Sequence, residues 1–170
     1  MTNEVHQLKQ SLNYQEQYLR RDRVDIKGIP VKSKEDTDEI VQNVAEAVNI
    51  KIDKADISVS HRLFKHTYSQ AARNGRENGN RNSFYPPLIV KFTGRNIRDN
   101  LYHARKWLKE VTTSDLYLGL ERAPPNRVFI TESLTKSNKE LFKETLAVKR
   151  QCHKAELSDI SGVLEAFMNT

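Results

Sequence analysis

The sequence of 170 residues predicts an α+β fold, in which strands and helices follow one another in the order β-α-β-β-α-β with one more helix at each end. Two patterns predict this order. In some short segments apolar and polar side chains alternate, which is typical of half-buried strands. In longer segments apolar side chains recur every three or four residues, which is typical of amphipathic helices.

The strand predictions rest on four segments with β character. In the first, Val24 and Ile26 point to one side, while Asp25 and Lys27 point to the other. The other strands are predicted at 57–63, 88–92 and 127–130, with a weaker β signal at 116–118.

Three helices complete the pattern. The first core helix is predicted to begin at a capping Asp36 or Thr37 and to end at Asn49. A second is predicted at 96–110, and a last helix is predicted from a capping-box pattern formed by Ser137 and Glu140.

The chain is predicted to divide into an N-terminal helix at 1–22, a mixed domain at 23–134 and a C-terminal helical region at 135–170. Residues 65–86 are rich in Asn, Gly, Arg and Ser and have no apolar periodicity, so we predict a mobile loop there. The β-α-β-β-α-β order is the ferredoxin-like arrangement, which RNA-recognition modules share.

The N-terminal helix carries apolar residues at steps of three and four. The seam consists of Val5, Leu8, Leu12 and Leu19, with Gln15 as its polar member. It indicates either a coiled coil that forms a homo-oligomer or an amphipathic helix that packs on its own domain, and the pattern does not separate these two interpretations.

Composition excludes several classes of protein. No apolar run approaches the length of a membrane span or of a signal peptide. The single cysteine, Cys152, excludes an internal disulfide and a multi-cysteine zinc site. We therefore expect an intracellular protein of the nucleus or cytoplasm, without metal, cofactor or membrane contact.

Catalytic patterns are missing from the sequence. His61 and His66 have no grouped carboxylates or cysteines that would complete a metal site. Gly75 and Gly79 are not followed by the Lys-Ser/Thr pair of a phosphate-binding loop. We therefore expect no enzymatic activity.

The excess of positive charge lies in the middle of the chain. Residues 61–109 contain 11 basic and 2 acidic residues, although the net charge of the whole chain is only +6. Such a segment is typical of a surface that binds RNA or single-stranded DNA, although a charged helix face is usually only solvated. The candidate binding residues are Lys27, Arg62, Lys91 and Arg127 on the strands, Lys65, Arg73, Arg76 and Arg81 in the loop, and Arg95, Arg98, Arg105, Lys106 and Lys109 on the second core helix.

The aromatic platform of an ordinary RNA-recognition module is absent. The positions that normally stack bases are occupied by Asp25, Pro87 and Ile89, and the parity of the third strand directs Phe92 into the core. The aromatic residues that remain as candidates for stacking are Tyr85 and Phe129.

Five segments, taken together and in order, resemble a known family. They are YLRRDRVDIKGIP at 18–30, SHRL at 60–63, PLIVKF at 87–92, RVFITESLT at 127–135 and NKELF at 138–142. This run is similar to the baculovirus few-polyhedra (FP) proteins, to their insect relatives, and to the RNA-binding proteins from the first reading frame of LINE-type retrotransposons.

The resemblance implies a coiled coil that oligomerises, a non-standard RNA-recognition module and a small C-terminal domain that shares the nucleic-acid surface. It also implies RNA coating and chaperone activity, or a role in virus structure. Arg62 and Lys91 lie in matched segments, so the resemblance gives them a binding role. Relatives continue into strands after Arg150, whereas this chain runs from 151 to 170, so we expect an incomplete C-terminal domain.

The alternative function is a structural or assembly protein that acts through coiled-coil contacts.

Overall fold

The computed structural model describes residues 2–32, 34–63, 85–116 and 125–168, with side chains except at residue 2 and residues 153–168. The chain divides into two compact units. One unit, Tyr18–Ser133, contains the sheet; the other combines Met1–Gln17 with Leu134–Thr170. The predicted mobile loop at 65–86 lies almost entirely outside the described residues.

The elements follow the predicted order. In chain order they are α1 (Thr2–Tyr18), β1 (Arg23–Lys27), α2 (Thr37–Glu46), β2 (Ile57–Arg62), β3 (Leu88–Phe92), α3 (Arg95–Ala104), β4 (Phe129–Glu132) and α4 (Lys136–Met168). Short 3₁₀ turns at Lys54–Asp56 and Arg105–Lys109 precede β2 and continue α3, respectively.

The four described strands form one antiparallel sheet with the order β2-β3-β1-β4. The register places Val24 of β1 opposite Val90 of β3, and Ile26 opposite Ile130 of β4. These side chains are buried because both helices of the unit contribute to the same core. The α+β prediction is therefore confirmed.

The core lies on one side of the sheet. Strand residues such as Ile26, Leu88 and Phe92 pack there with Val41 of α2 and Leu101 of α3, each no more than 1% exposed. The prediction that Phe92 is a core residue is confirmed. Burial of such aliphatic and aromatic side chains stabilises the fold by about 1.5–3 kcal/mol for each.

Asp36 caps α2 as the sequence predicts. Its carboxylate accepts hydrogen bonds from the backbone N–H groups of Asp38 at 3.0 Å and Glu39 at 3.3 Å, and it pairs with Lys54 at 2.8 Å. The hydrogen bond from Lys54, then the backbone N–H groups, hold the pKa of Asp36 below its usual range. The cap satisfies amide groups that have no carbonyl partner in the first turn.

Several predicted boundaries differ from the structure. α2 ends at Glu46 rather than at Asn49, and β2 ends at Arg62 rather than at residue 63. β4 begins at Phe129 rather than at Arg127, because Arg127 forms only an isolated bridge with Thr112. α3 ends at Ala104 and tightens into a 3₁₀ turn, where a single helix at 96–110 was predicted. In the segment 116–118, where a weak β signal was predicted, Leu116 is buried. Residues 117 and 118 lie outside the described residues.

A β-bulge changes which side chains of β2 face the core. The register between β2 and β3 shifts between Ile57 and Val59, so Ser58 is an extra residue. An extra residue reverses the alternation of side chains beyond it. Arg62 consequently lies opposite Leu88 on the core side, and the prediction that it points outward is wrong.

In the other unit, polar side chains join α1 to the start of α4. Thr135 is the N-cap: its hydroxyl accepts from the Asn138 N–H at 3.3 Å and donates to the Asn13 side chain at 2.7 Å. Gln17 accepts from the Thr135 N–H at 2.9 Å and from the Asn138 amide at 3.0 Å. The predicted capping box at Ser137 is therefore wrong, since α4 begins one residue before it.

Gly28, which follows β1, and Gly94, which precedes α3, give a matched test of the fold. Gly28 has φ of +93°, and a Cβ there would lie 2.0 Å from the Arg127 carbonyl oxygen, whereas a Cβ at Gly94 would meet nothing closer than 3.7 Å. We expect Gly28→Ala to lower the free energy of unfolding by at least about 2 kcal/mol, because strain and a backbone clash add.

Urea denaturation measures this difference. Gly94→Ala serves as the control and should change the free energy of unfolding by less than about 1 kcal/mol. Equal stability of the two variants would contradict the described approach of Gly28 to Arg127.

Candidate nucleic-acid interface

The side of the sheet away from the core, here called the outer face, carries mixed charge. Its outward positions are Arg23, Asp25 and Lys27 on β1, Val59 and His61 on β2, Ile89 and Lys91 on β3, and Phe129 and Thr131 on β4. Asp25, with Ile89 opposite on one side and Thr131 on the other, is only 3% exposed. The register therefore places Asp25 and Ile89 at the centre of the outer face.

Cations surround this centre. Lys27 lies opposite Phe129, which is 42% exposed, and Lys91 lies opposite Arg23. The Lys91 ammonium is 3.7 Å from Asp22, and its side chain is 41% exposed. Tyr85, the other stacking candidate, is half-buried just before β3.

Arg62 is a structural residue rather than a surface cation. Its guanidinium forms a two-point ion pair with Glu35, at 2.8 and 2.9 Å. The same group donates to the carbonyls of Ile29 at 2.8 Å, Pro30 at 3.0 Å and Pro86 at 3.0 Å. With its side chain 3% exposed, Arg62 has no surface to offer a phosphate, and its predicted binding role is corrected.

Arg98 also forms its ion pairs within the protein. Its guanidinium pairs with Asp99 at 2.9 Å and with Glu132 at 3.1 Å, and it lies 4.7 Å from the centre of the Tyr102 ring. The side chain is 11% exposed. These contacts attach α3 to β4, so the prediction that Arg98 contacts phosphate is corrected as well.

A groove of about 610 Å³ runs along the edge of β4, and we call it the β4 groove. It is lined by His103, Arg105, Lys106, Leu108, Lys109, Val128, Phe129 and Ile130. None of these residues is acidic, and Phe129 contributes an exposed ring to the groove. The β4 groove thus combines a ring that can stack with cations that can bind phosphate.

Aromatic rings orient two of the cations beside the β4 groove. The Arg105 guanidinium lies 3.7 Å from the centre of the Tyr102 ring, and the Lys106 ammonium lies 5.3 Å from that of Trp107. Trp107 itself is 65% exposed. Cation–π contacts of this kind restrain long side chains while leaving their polar groups in water.

A second concave site lies within the sheet unit, between the segment at 18–23 and the start of α3. This Tyr18 cleft has a volume of about 330 Å³ and is lined by Tyr18, Leu19, Arg21, Asp22, Arg23, Lys91, Thr93 and Arg95. The guanidiniums of Arg21 and Arg95 lie 4.4 Å and 5.2 Å from the centre of the Tyr18 ring.

The Tyr18 cleft is electrostatically positive. A hydrogen bond from Arg95, then the charges of Arg95 and Arg21, lower the pKa of Tyr18 below its usual range. A positive potential favours the anionic form of the phenol, just as it favours any other anion.

The structure divides the predicted binding residues among several places. Arg105, Lys106 and Lys109 meet in the β4 groove, while Arg95 and Lys91 meet in the Tyr18 cleft. Arg127 is exposed ahead of β4. The loop residues Lys65, Arg73, Arg76 and Arg81 lie outside the described residues.

Sequence reasoning missed three members of the Tyr18 cleft: Tyr18, Arg21 and Arg23. The signal was present, because the run at 20–23, which begins two residues after Tyr18, contains three arginines. What the sequence does not contain is the approach of Arg95, which is distant in sequence and brings a second guanidinium to the same ring.

Comparisons with known proteins add no family. A scan against protein-family models finds no match to this chain. A search of curated proteins finds no matching relative. Within the described ranges, no group of three His, Cys, Asp or Glu side chains could hold a metal ion, and no helix has the length and apolarity needed to cross a bilayer.

Replacement of Arg62 tests its structural role. Arg62→Met leaves Glu35 and three carbonyls without their cationic partner, so we expect the free energy of unfolding to fall by about 3 kcal/mol. Lys91→Met is the control: its side chain is 41% exposed, and we expect a change below about 0.5 kcal/mol.

Chemical denaturation of both variants supplies the measurement. If Arg62→Met is instead as stable as the unsubstituted protein, the structural role of Arg62 is contradicted.

Proposed function

We propose that this chain is a non-enzymatic protein that binds single-stranded nucleic acid, RNA in particular, inside the cell. The observation that carries the proposal is the β4 groove, which brings an exposed Phe129 together with Arg105, Lys106 and Lys109, and whose lining has no acidic side chain among the described residues. Grooves that combine cations with an aromatic ring are typical of single-strand binding.

The strand order β2-β3-β1-β4 and the packing of α2 and α3 on one side support a ferredoxin-like, RNA-recognition-type domain. We further propose descent from FP proteins or from LINE-type first-reading-frame proteins, on the strength of the five matched segments. Within such a domain the phosphates would contact lysines and arginines at the margins of the sheet, since its centre holds Asp25 and Ile89.

Binding of this kind has a definite chemical character. Guanidinium and ammonium groups donate charge-assisted hydrogen bonds to phosphate oxygens and release counterions from the strand. Phe129 stacks on a base without selecting its identity, because every base has a flat π-face. The proposed protein is therefore a sequence-tolerant binder that could coat or remodel RNA.

Titration of a single-stranded RNA across salt concentrations tests the proposal. Contact with five phosphates predicts a slope of about −3.5 in a plot of log affinity against log salt. The double variant Lys106→Gln/Lys109→Gln should make that slope shallower by about 1.4, since each lost phosphate contact removes about 0.7.

The matched control is Lys32→Gln/Lys51→Gln, which removes two exposed cations that do not line the β4 groove. It should leave the slope close to that of the unsubstituted protein. Affinity that does not depend on salt, or no binding at low salt, would overturn the proposal.

One observation favours the alternative function, assembly through the N-terminal helix. Val5, Leu8 and Leu12 of α1 are 49%, 69% and 66% exposed, and Leu19 just beyond the helix is 67% exposed. A seam of exposed apolar side chains at heptad spacing can pair with the same seam of a second copy.

Sedimentation of the full chain tests this alternative. If α1 forms a coiled coil, the protein should sediment as an oligomer, and Leu8→Asn/Leu12→Asn should reduce its mass to that of a monomer. A monomer in both cases would contradict assembly through this seam. Val148→Asn, at an exposed apolar position on α4, serves as the control.

A further inference from the structure

The arginines of the Tyr18 cleft are arranged for an anion that the protein does not itself supply. Arg21 and Arg95 are both exposed and both face the Tyr18 ring. Among the described residues neither guanidinium forms an ion pair with a carboxylate, whereas Arg62 and Arg98 do. The ring therefore orients both guanidiniums, and Arg95 also donates one hydrogen bond to the Tyr18 side chain.

The carboxylate that lines the cleft is already shared. Asp22 lies 3.7 Å from the Lys91 ammonium and 3.8 Å from the Arg23 guanidinium. The lining thus contains four cations and one carboxylate, which leaves a local excess of positive charge. A doubly or singly charged phosphate group would neutralise this excess better than a neutral ligand would.

We propose that the Tyr18 cleft is a phosphate-binding site for one unit of the nucleic-acid strand, an inference that rests on the proposed function. Arg21 and Arg95 donate to the phosphate oxygens, and Lys91 adds a third cation at the sheet margin. The Thr93 hydroxyl lies in the same lining, but it donates to the Asp56 carbonyl at 3.2 Å.

The Tyr18 ring prepares this site before the ligand arrives. Both guanidiniums are held within 5.2 Å of the ring centre, so they lose less side-chain freedom on binding than unrestrained arginines would. The volume of about 330 Å³ is at the lower end of the ~300–1,000 Å³ typical of small-ligand sites. The cleft therefore fits a single phosphate-bearing unit rather than a stretch of strand.

Two sources can provide this phosphate: an internal diester of the strand or a terminal monoester. Both present the same oxygens to Arg21 and Arg95. They differ in charge, because a terminal monoester carries about −1.5 to −2 at neutral pH. A pair of oligonucleotides that differ only in a 5′ phosphate distinguishes them.

The experiment measures the fluorescence anisotropy of a labelled oligouridine, with and without a 5′ phosphate, at several salt concentrations. We expect Arg21→Gln/Arg95→Gln to raise the Kd about tenfold, the effect of losing one charge-assisted contact. The salt slope should become shallower by about 0.7. The control is again Lys32→Gln/Lys51→Gln, which removes the same charge from outside the cleft.

A second variant separates charge from geometry. Arg21→Lys/Arg95→Lys keeps both positive charges but loses the planar donor group, so its Kd should lie between those of the unsubstituted protein and the glutamine variant. Tyr18→Ala, which removes the ring that orients both arginines, should also raise the Kd. Circular dichroism and thermal unfolding establish that each variant is folded.

The outcomes are distinct. If the unsubstituted protein binds with a steep salt slope but the glutamine variant matches its control, the Tyr18 cleft is not a phosphate site, and the proposed function still holds. If the unsubstituted protein does not bind at all, both proposals are overturned. If the unsubstituted protein prefers the 5′-phosphorylated strand and the glutamine variant does not, the cleft binds a terminal phosphate. If the glutamine variant binds about tenfold more weakly and neither protein shows this preference, the cleft binds an internal diester.

Discussion

The sheet unit depends on one buried guanidinium. Arg62, the last residue of β2, is bound to Glu35 ahead of α2, to the carbonyls of Ile29 and Pro30 after β1, and to that of Pro86 before β3. A single side chain thus attaches the ends of three strands and the segment that leads into α2. The desolvation of such an ion pair is costly, and only the complete set of five hydrogen bonds offsets it.

This use of Arg62 has a consequence for the surface. A buried cation cannot contact a phosphate. Arg98 is also largely buried, and it forms ion pairs with Asp99 and Glu132. Of the predicted binding cations, Lys91 and Arg95 line the Tyr18 cleft, and Arg105, Lys106 and Lys109 line the β4 groove. In both places an aromatic ring lies beside the basic groups, so the two sites share one chemistry although they are built from different elements.

The order of the elements could be predicted because it follows from local patterns. Alternation located β1 and β3, and the apolar stripe with its Asp36 cap located α2, since burial on one side imposes those spacings. Boundaries were less predictable. Arg127 begins a segment with β character but forms only one isolated bridge. The capping role of Thr135 depends on Asn13 and Gln17, which are far away in sequence.

By itself, then, the sequence determined the α+β pattern, the position of Phe92 in the core, the basic middle segment and the absence of rings at the centre of the outer face. Only the tertiary structure decided which cations are exposed. A one-residue bulge at Ser58 turned Arg62 inward, and the folding of the sheet unit brought Arg95 to the ring of Tyr18. Composition and periodicity show the type of each residue and its spacing along the chain. Strand register and contacts between distant segments determine which charged side chains form internal ion pairs and which stay exposed.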